Sequence, residues 1–408
     1  MVVDKALYGL QGSGNAWHRK LSDDLHDMGF RPSKADTDLW MRKTSDNYEF
    51  IGVFVDDITV FSKDPQSVFE TLNTKYKYEF KKICQPKYYN GADIKRDTKT
   101  SYWTMSANIY ITNVTQKIEK ILGITLKNYT TPMNSEYHPE CKETDLLPYD
   151  SIKIYQMMIG CAQWAVTLGR YDIQYATNTL ARYAVAPRKG HFRAITRVFG
   201  YLKFHKKHRI LLSPDPPNYH DLEFQEYDWT HHYRDATEEI PSDMPTPVTD
   251  EAYITVYVDA SHACDIVTRR SVTGILLCVN KAPIRWYSKR QNTVETSTYG
   301  SELVAARIAV ELAMEYRYKL RMMGFKVSES ATVFIDNQSV VTNTTLPSSP
   351  LKKKHNAIAY HRVRETIAAK IVRVYHLNSD YNRADILTKA LPAYKHQFLL
   401  KTILYHQI

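Results

Sequence analysis

The chain has 408 residues, 43% hydrophobic and 24% charged, with a formal net charge of +10. That balance excludes a disordered chain, leaves room for two or three domains, and the positive excess points to a polyanionic partner. No apolar run approaches the roughly 20 residues of a bilayer span, and five cysteines without a C-x-x-C pair argue against a disulfide framework or a zinc site.

In chain order, "MVVDKALYGL" lacks the basic-then-apolar order of a secretory signal. An intracellular protein is expected, in cytoplasm or nucleus, with no membrane partner. Trp17, Leu21, Leu25 and Met28 then recur at helical spacing. The run "GVFVDDITVF" sets Asp56 and Asp57 between two β-branched, aromatic segments, which predicts a tight hairpin over 49–62. Two adjacent carboxylates at the edge of a core repel each other and resist burial, so the pair suits a divalent cation. Residues 65–80 read as a helix and "YYNGADIKRDTKTSYWTMS" as a β-hairpin.

From about 107 to 213 the pattern is mainly helical. Between Arg182 and Arg209 there are nine Lys or Arg and no Asp or Glu. Arg193, Arg197 and Lys203 flank the apolar face of one helix there and are candidate nucleic-acid contacts, although a solvated helix face would look the same. Pro214–Glu251 carries eleven Asp or Glu against the single Arg234, with six prolines. It reads as a linker whose aromatics pack in part against a neighbour.

Beyond the linker the order becomes strand, strand, strand, helix, strand, helix, strand, helix. The strands are "YITVYVDA", "SVTGILLCV", "PIRWYSKR", "ATVFID" and "IVRVYHL". Helices are predicted at roughly 297–323, at 355–370 and from 382 onward, which makes a mixed sheet with packed helices. Asp259 lies within the first strand, Glu302 in the first turns of the long helix, Asp336 at a strand end, and Asp385 at the start of the last helix. Singly, Asp336 and Asp385 also suit helix caps and Glu302 a first-turn acid. Together the four can converge at one sheet edge and hold two Mg²⁺ ions in the manner of a two-metal nuclease. His376 ends an apolar strand nine residues before Asp385 and reads as a hydrogen-bonding residue. Arg269 and Arg270, before the second strand, and Lys353 and Lys354, at the start of a helix, are candidate backbone contacts or basic surface.

The motifs "KALYGL…AW", "FVDD", "TPM", "RYDIQYATNTLARY", "VYVDASHA…TRRSVTG", "SKRQNTVETSTYGSELVA", "IDNQSVV", "KKKHNAIAYHRVRE" and "ADILTK" extend over nearly the whole chain. With them it resembles the polymerase–RNase H region of copia-type LTR retrotransposon polyproteins. The resemblance implies an α/β (α+β) chain: a truncated reverse-transcriptase palm over 1–106, a helical thumb/connection-like region over 107–213, the acidic linker over 214–251, and an RNase H-like mixed five-stranded sheet with helices over 252–408. It implies that Asp259, Glu302, Asp336 and Asp385 are the catalytic ligands of two Mg²⁺ (or Mn²⁺) ions. Asp56 and Asp57 then belong to the palm, and RNA–DNA hybrid, DNA and RNA are the partners, beside other element-encoded proteins.

Two departures stand out. Phe54 replaces the family's Tyr, and "QGSGN" replaces a "KQAPR"-like loop. The family's third palm aspartate lies upstream of "KALYGL", and Met1 stands only seven residues before Tyr8. The expectation is therefore a hybrid-cleaving ribonuclease joined to a truncated reverse transcriptase that does not polymerise alone. The alternatives are a fragment of an active polymerase, or a nucleic-acid-binding remnant without catalysis.

Overall fold

Residues 31–61 form a four-stranded antiparallel sheet in the computed structural model, which describes residues 12–405 except 56, 142, 221 and 352. The strands β1 (Arg31–Ser33), β2 (Asp36–Lys43), β3 (Tyr48–Phe54) and β4 (Asp57–Phe61) follow one another in that order. Helix α1 (Ser13–Asp27) buries Leu21 and Leu25. Helix α2 (Pro65–Thr74) starts with Pro at its first position, and the Asp64 carboxylate accepts from the Ser67 amide at 3.2 Å. Leu21, Leu25, Phe30, Ile51 and Leu72 form the core beneath them. The described residues up to Gln85, with Glu239–Ala252 and Glu315–Ser328, make one compact unit.

The hairpin between β3 and β4 is as tight as the residue pattern predicts, with Phe54 opposite Asp57. Val55 takes φ 56°, an unfavourable angle for a β-branched residue and one that two-residue hairpin turns demand. Asp57 stands exposed on β4, and Asp56 lies outside the described residues.

The second unit comprises Pro86–Glu238, Tyr253–Met314 and the chain from Glu329 onward. In its first part β5 (Tyr88–Tyr89), β6 (Ala92–Arg96), β7 (Trp103–Ser106) and β8 (Arg209–Leu212) form a second antiparallel sheet. Helices α3 (Asn108–Leu122), α4 (Tyr149–Thr167), α5 (Gln174–Ala181) and α6 (Lys189–Phe204) pack around Ile111, Met158, Leu180, Ile195 and Phe199, all fully buried. The mainly helical reading of 107–213 holds.

In the C-terminal part β9 (Ile254–Ser261), β10 (Val272–Val279), β11 (Ala282–Arg290), β12 (Ala331–Ile335) and β13 (Val372–His376) form the expected mixed sheet, in the order β11-β10-β9-β12-β13. β10 runs antiparallel to β9 and β11, whereas β12 runs parallel to β9 and β13. Parallel neighbours need long crossovers, and these are α7 (Thr298–Met322) before β12, then α8 (Gln338–Thr345) and α9 (Ala357–Ala368) before β13. Central β9 and β12 are buried nearly throughout, which is why both read as unbroken apolar runs.

The last predicted helix is corrected. The chain makes 3₁₀ turns at Ser379–Tyr381 and Arg383–Leu387, and α10 begins only at Ala393 and ends at Ile403. Asn382 explains the change: its amide nitrogen donates to Val258 O at 2.9 Å, and its side-chain oxygen accepts from the Ala384 amide at 3.1 Å. That side chain competes with helical bonding and ties the turn to β9. Pro392 then precedes the true helix.

Among the described residues no helix or strand occurs within 214–250. The acidic segment up to Glu238 is strapped down by its aromatics. Phe224 receives the Arg373 guanidinium at 3.9 Å, and Trp229 receives that of Arg364 at 4.8 Å. Among the described residues no helix is long and apolar enough to cross a membrane.

Candidate carboxylate site

Three elements of the mixed sheet deliver carboxylates to one place. β9 carries Asp259, the second turn of α7 carries Glu302, and Asp336 follows directly on β12. Because β12 lies parallel and adjacent to β9, Ile335 is level with Val258, and the next residue on each strand is an aspartate. One oxygen from each of Asp259, Glu302 and Asp336 lies within 4.8 Å of the others. Asp259 is 2% exposed and Glu302 3%, with Asp336 half-buried.

Burial first, then neighbouring like charge, disfavours ionisation here. The Asp259 carboxyl is pushed up to about 7 by burial, against relief from Lys389 and with repulsion from Asp385 and Asp336. Glu302 is raised well above the usual carboxyl range by burial and by Asp259 and Asp336. Asp336 is raised by burial, and an Asn382 hydrogen bond moderates the shift. Thr388 donates its hydroxyl to Asp259 Oδ2. Glu302 Oε2 is buried without a hydrogen-bond partner. An orphaned buried carboxylate oxygen beside two more carboxylates is the donor set of a hard divalent cation.

Asp385 is brought to the same edge but is held differently. It is 1% exposed and sits in the Arg383–Leu387 turn. Gly274 on β10 permits that approach, since a Cβ there would lie 2.9 Å from Ala384 O and 2.5 Å from Thr388 Cγ2. Lys389 Nζ lies 2.7 Å from Asp385 Oδ1 and 3.5 Å from Asp259 Oδ2, and Lys395 Nζ lies 2.6 Å from Asp385 Oδ2. Asp385 therefore faces two ammonium groups and stands outside the three-carboxylate group. Burial alone would lower the Lys389 pKa, but Asp259 and Asp385 raise it above the usual range.

Thr388, Lys389, Lys395 and Asn382 are contacts that the residue pattern did not single out. The available signal was Lys389, four residues after Asp385 and one helical turn away. His376 Nε2 lies 3.1 Å from the Asp336 carbonyl oxygen.

The candidate nucleic-acid contacts separate into committed and open groups. Arg197 donates to Thr131 O at 3.1 Å and Thr131 Oγ1 at 2.8 Å, and lies over the Tyr129 ring. Lys203 pairs with Glu119 at 2.7 Å. Lys353 donates to Thr296 and Ser297, at 2.9 and 2.6 Å, just before α7. Arg193, Arg269 and Lys354 are exposed, and Arg270 is half-buried. The loop bearing Arg269 is pinned by Asp265, whose carboxylate pairs with Arg182 at 2.8 Å and Arg290 at 3.2 Å.

Comparison with known proteins bears out the family resemblance. Residues 1–134 match the family model described as reverse transcriptase (RNA-dependent DNA polymerase). The chain is 26% identical over 396 residues to the retrovirus-related Pol polyprotein from transposon RE1 of Arabidopsis thaliana, covering 95% of this chain and 24% of that protein. It is 22% identical over 410 residues to the corresponding polyprotein from transposon TNT 1-94 of Nicotiana tabacum, covering 99% of this chain and 28% of that protein. The chain thus resembles Pol polyproteins of copia-type transposons along nearly its whole length and spans about a quarter of theirs. A solved structure of LC11-RNase H1 in complex with RNA/DNA hybrid aligns with 33% of this chain and 93% of its own, at 17% identity and TM-score 0.27.

Proposed function

We propose that this chain is a retrotransposon-type ribonuclease H that cleaves the RNA strand of RNA–DNA hybrids. The observation that carries the reading is the buried group of Asp259, Glu302 and Asp336, with Glu302 Oε2 unpartnered, on a five-stranded mixed sheet. The family resemblance supports the choice of hybrid as substrate. Asp259, Glu302 and Asp336 would hold one Mg²⁺ or Mn²⁺ ion, and Asp385 would complete a site for two. When bound, such a pair activates water and stabilises the leaving oxygen of a phosphodiester.

The chain's own residues supply position. Thr388 fixes the orientation of the Asp259 carboxylate, and Asn382 ties the Asp385 turn to β9. Arg193, Arg269, Arg270 and Lys354 would meet hybrid phosphates, and Lys353 would do so beside the start of α7. Arg197 and Lys203 would act from the same helix by holding its surroundings. In this reading 1–106 is palm-like, 107–213 is a thumb- or connection-like platform for the hybrid, 214–251 is the linker and 252–408 is the nuclease. The setting is intracellular, in cytoplasm or nucleus, with other element-encoded proteins as partners.

The test is a labelled RNA strand offered as single strand, as RNA duplex and as RNA–DNA hybrid, with Mg²⁺, Mn²⁺ or chelator. Cleavage confined to the hybrid and abolished by chelator is expected. Equal cutting of single-stranded RNA, or cutting in chelator, would remove the reading.

A further inference from the structure

The carboxylate edge already contains two cations of its own, Lys389 and Lys395. Lys389 Nζ lies between Asp259 Oδ2 and Asp385 Oδ1, at 3.5 and 2.7 Å, and Lys395 covers the other Asp385 oxygen at 2.6 Å. Lys395 is also fastened to Ser379 O at 3.2 Å, whereas no second hydrogen-bond acceptor outside the carboxylates is described for Lys389. The two halves of the edge are therefore unequal. On one side Glu302 Oε2 has no hydrogen-bond partner, and Lys389 acts on Glu302 and Asp336 only from beyond ion-pair distance. On the other, both oxygens of Asp385 are neutralised by lysine.

We propose that Lys389 is a built-in cation that occupies the Asp259–Asp385 half of the site, so that the protein takes one divalent ion readily and a second only when Lys389 swings out. The proposal rests on the metal-binding reading given above and adds an order of filling to it. Two positive groups cannot share Asp259 and Asp385 at these separations without strong repulsion, because the ammonium and a divalent ion would sit a few ångströms apart in a partly desolvated edge. Lys389 can leave: it is half-buried, on a flexible four-carbon stem, and follows a short turn rather than a long helix. Lys395 would stay and keep Asp385 in place. Lys389 is thus a positioning residue that sets the ion dependence of the site and takes no part in bond breaking.

The experiment is Mn²⁺ binding to the full chain, counted by the electron paramagnetic resonance of free Mn²⁺, for wild type, Lys389→Gln, Lys389→Arg and Asp336→Asn. Wild type should bind one ion tightly and a second more weakly. Lys389→Gln should tighten the second by about 10-fold or more, and Lys389→Arg, which keeps the charge, should not. An isotherm for Lys389→Gln that overlays wild type, or one matched by Lys389→Arg, would overturn the proposal. Asp336→Asn separates the two levels: if it binds Mn²⁺ as wild type does, the metal reading fails and the role of Lys389 falls with it. A second measurement needs no variant. Acylation of Lys389 in the wild-type protein, read by mass spectrometry, should rise at the Mn²⁺ concentration that fills the second place, and unchanged or reduced acylation would contradict the displacement.

Discussion

The second unit buries two aspartates to the same depth and treats them in opposite ways. Asp172 and Asp259 are each 2% exposed. Asp172 receives the Arg170 guanidinium through two hydrogen bonds of 2.9 and 2.7 Å and the Tyr201 hydroxyl at 2.7 Å. Burial alone would raise its pKa, but Arg170, His208 and Tyr201 bring it down to about 2. Asp259 is raised first by burial and then by Asp385 and Asp336, with Lys389 as partial relief, and reaches about 7. A buried acid compensated within the chain is part of the architecture. A buried acid left among other acids is a candidate functional group.

The comparison can be broken most forcefully at Asp172. Asp172→Asn should cost about 3 to 5 kcal/mol, because it leaves the fully buried Arg170 charge unpaired. A denaturant-unfolding midpoint close to that of wild type would mean that the ion pair does not support the fold. Glu302→Gln should behave in the reverse manner. Removing one of the mutually repelling charges should leave stability unchanged or raised in chelator, while hybrid cleavage falls by at least about 100-fold. Loss of stability together with activity would make Glu302 a structural acid like Asp172.

The two aspartates should also give stability opposite pH slopes. Asp259 holds its proton more tightly when folded than at its usual 3.8, so in chelator its contribution should fall as pH rises from about 4 to about 7. Asp172 contributes fully above its usual 3.8, and that contribution is lost as pH falls toward 2. Comparing wild type with Asp259→Asn by thermal unfolding, the variant should gain about 3 kcal/mol relative to wild type between pH 4 and 7. A constant difference across that window would contradict the raised Asp259 value. The smallest effect is expected at Arg193, exposed on α6. Arg193→Ala should lower the slope of log hybrid affinity against log salt by about 1 without altering thermal stability. An unchanged slope would remove this residue from the interface.

Much of this was legible in the residue order. The strands β9, β10 and β12 are dense in β-branched and aliphatic residues, and α7 is long enough to declare itself. The positions of Asp259 within β9, Glu302 near the start of α7 and Asp336 just after β12 follow from those boundaries. Other features depend on partners distant in sequence. The turn carrying Asp385 looked like a helix because its residues allow one, and the Asn382 side chain, bonded to Ala384 and to Val258, 124 residues away, holds it as 3₁₀ instead. Helix α8 was missed because "QSVVTNTT" has too few apolar residues to show a period. Arg197 and Arg193 occupy one helix four residues apart, yet one is bound to Thr131 and the other is exposed. No local pattern separates an arginine that packs from one left exposed.

The central claim is that the buried acids at the edge of the mixed sheet cut RNA paired with DNA. The most direct test is cleavage of a labelled RNA strand in an RNA–DNA hybrid with Mg²⁺ or Mn²⁺, comparing wild type with Asp336→Asn at equal folded concentration and with hybrid binding measured in parallel. The account predicts that wild type cuts the hybrid RNA while Asp336→Asn binds the hybrid and leaves it intact. If both proteins fold and bind hybrid and neither cuts it, the chain is a binding protein and the account is contradicted.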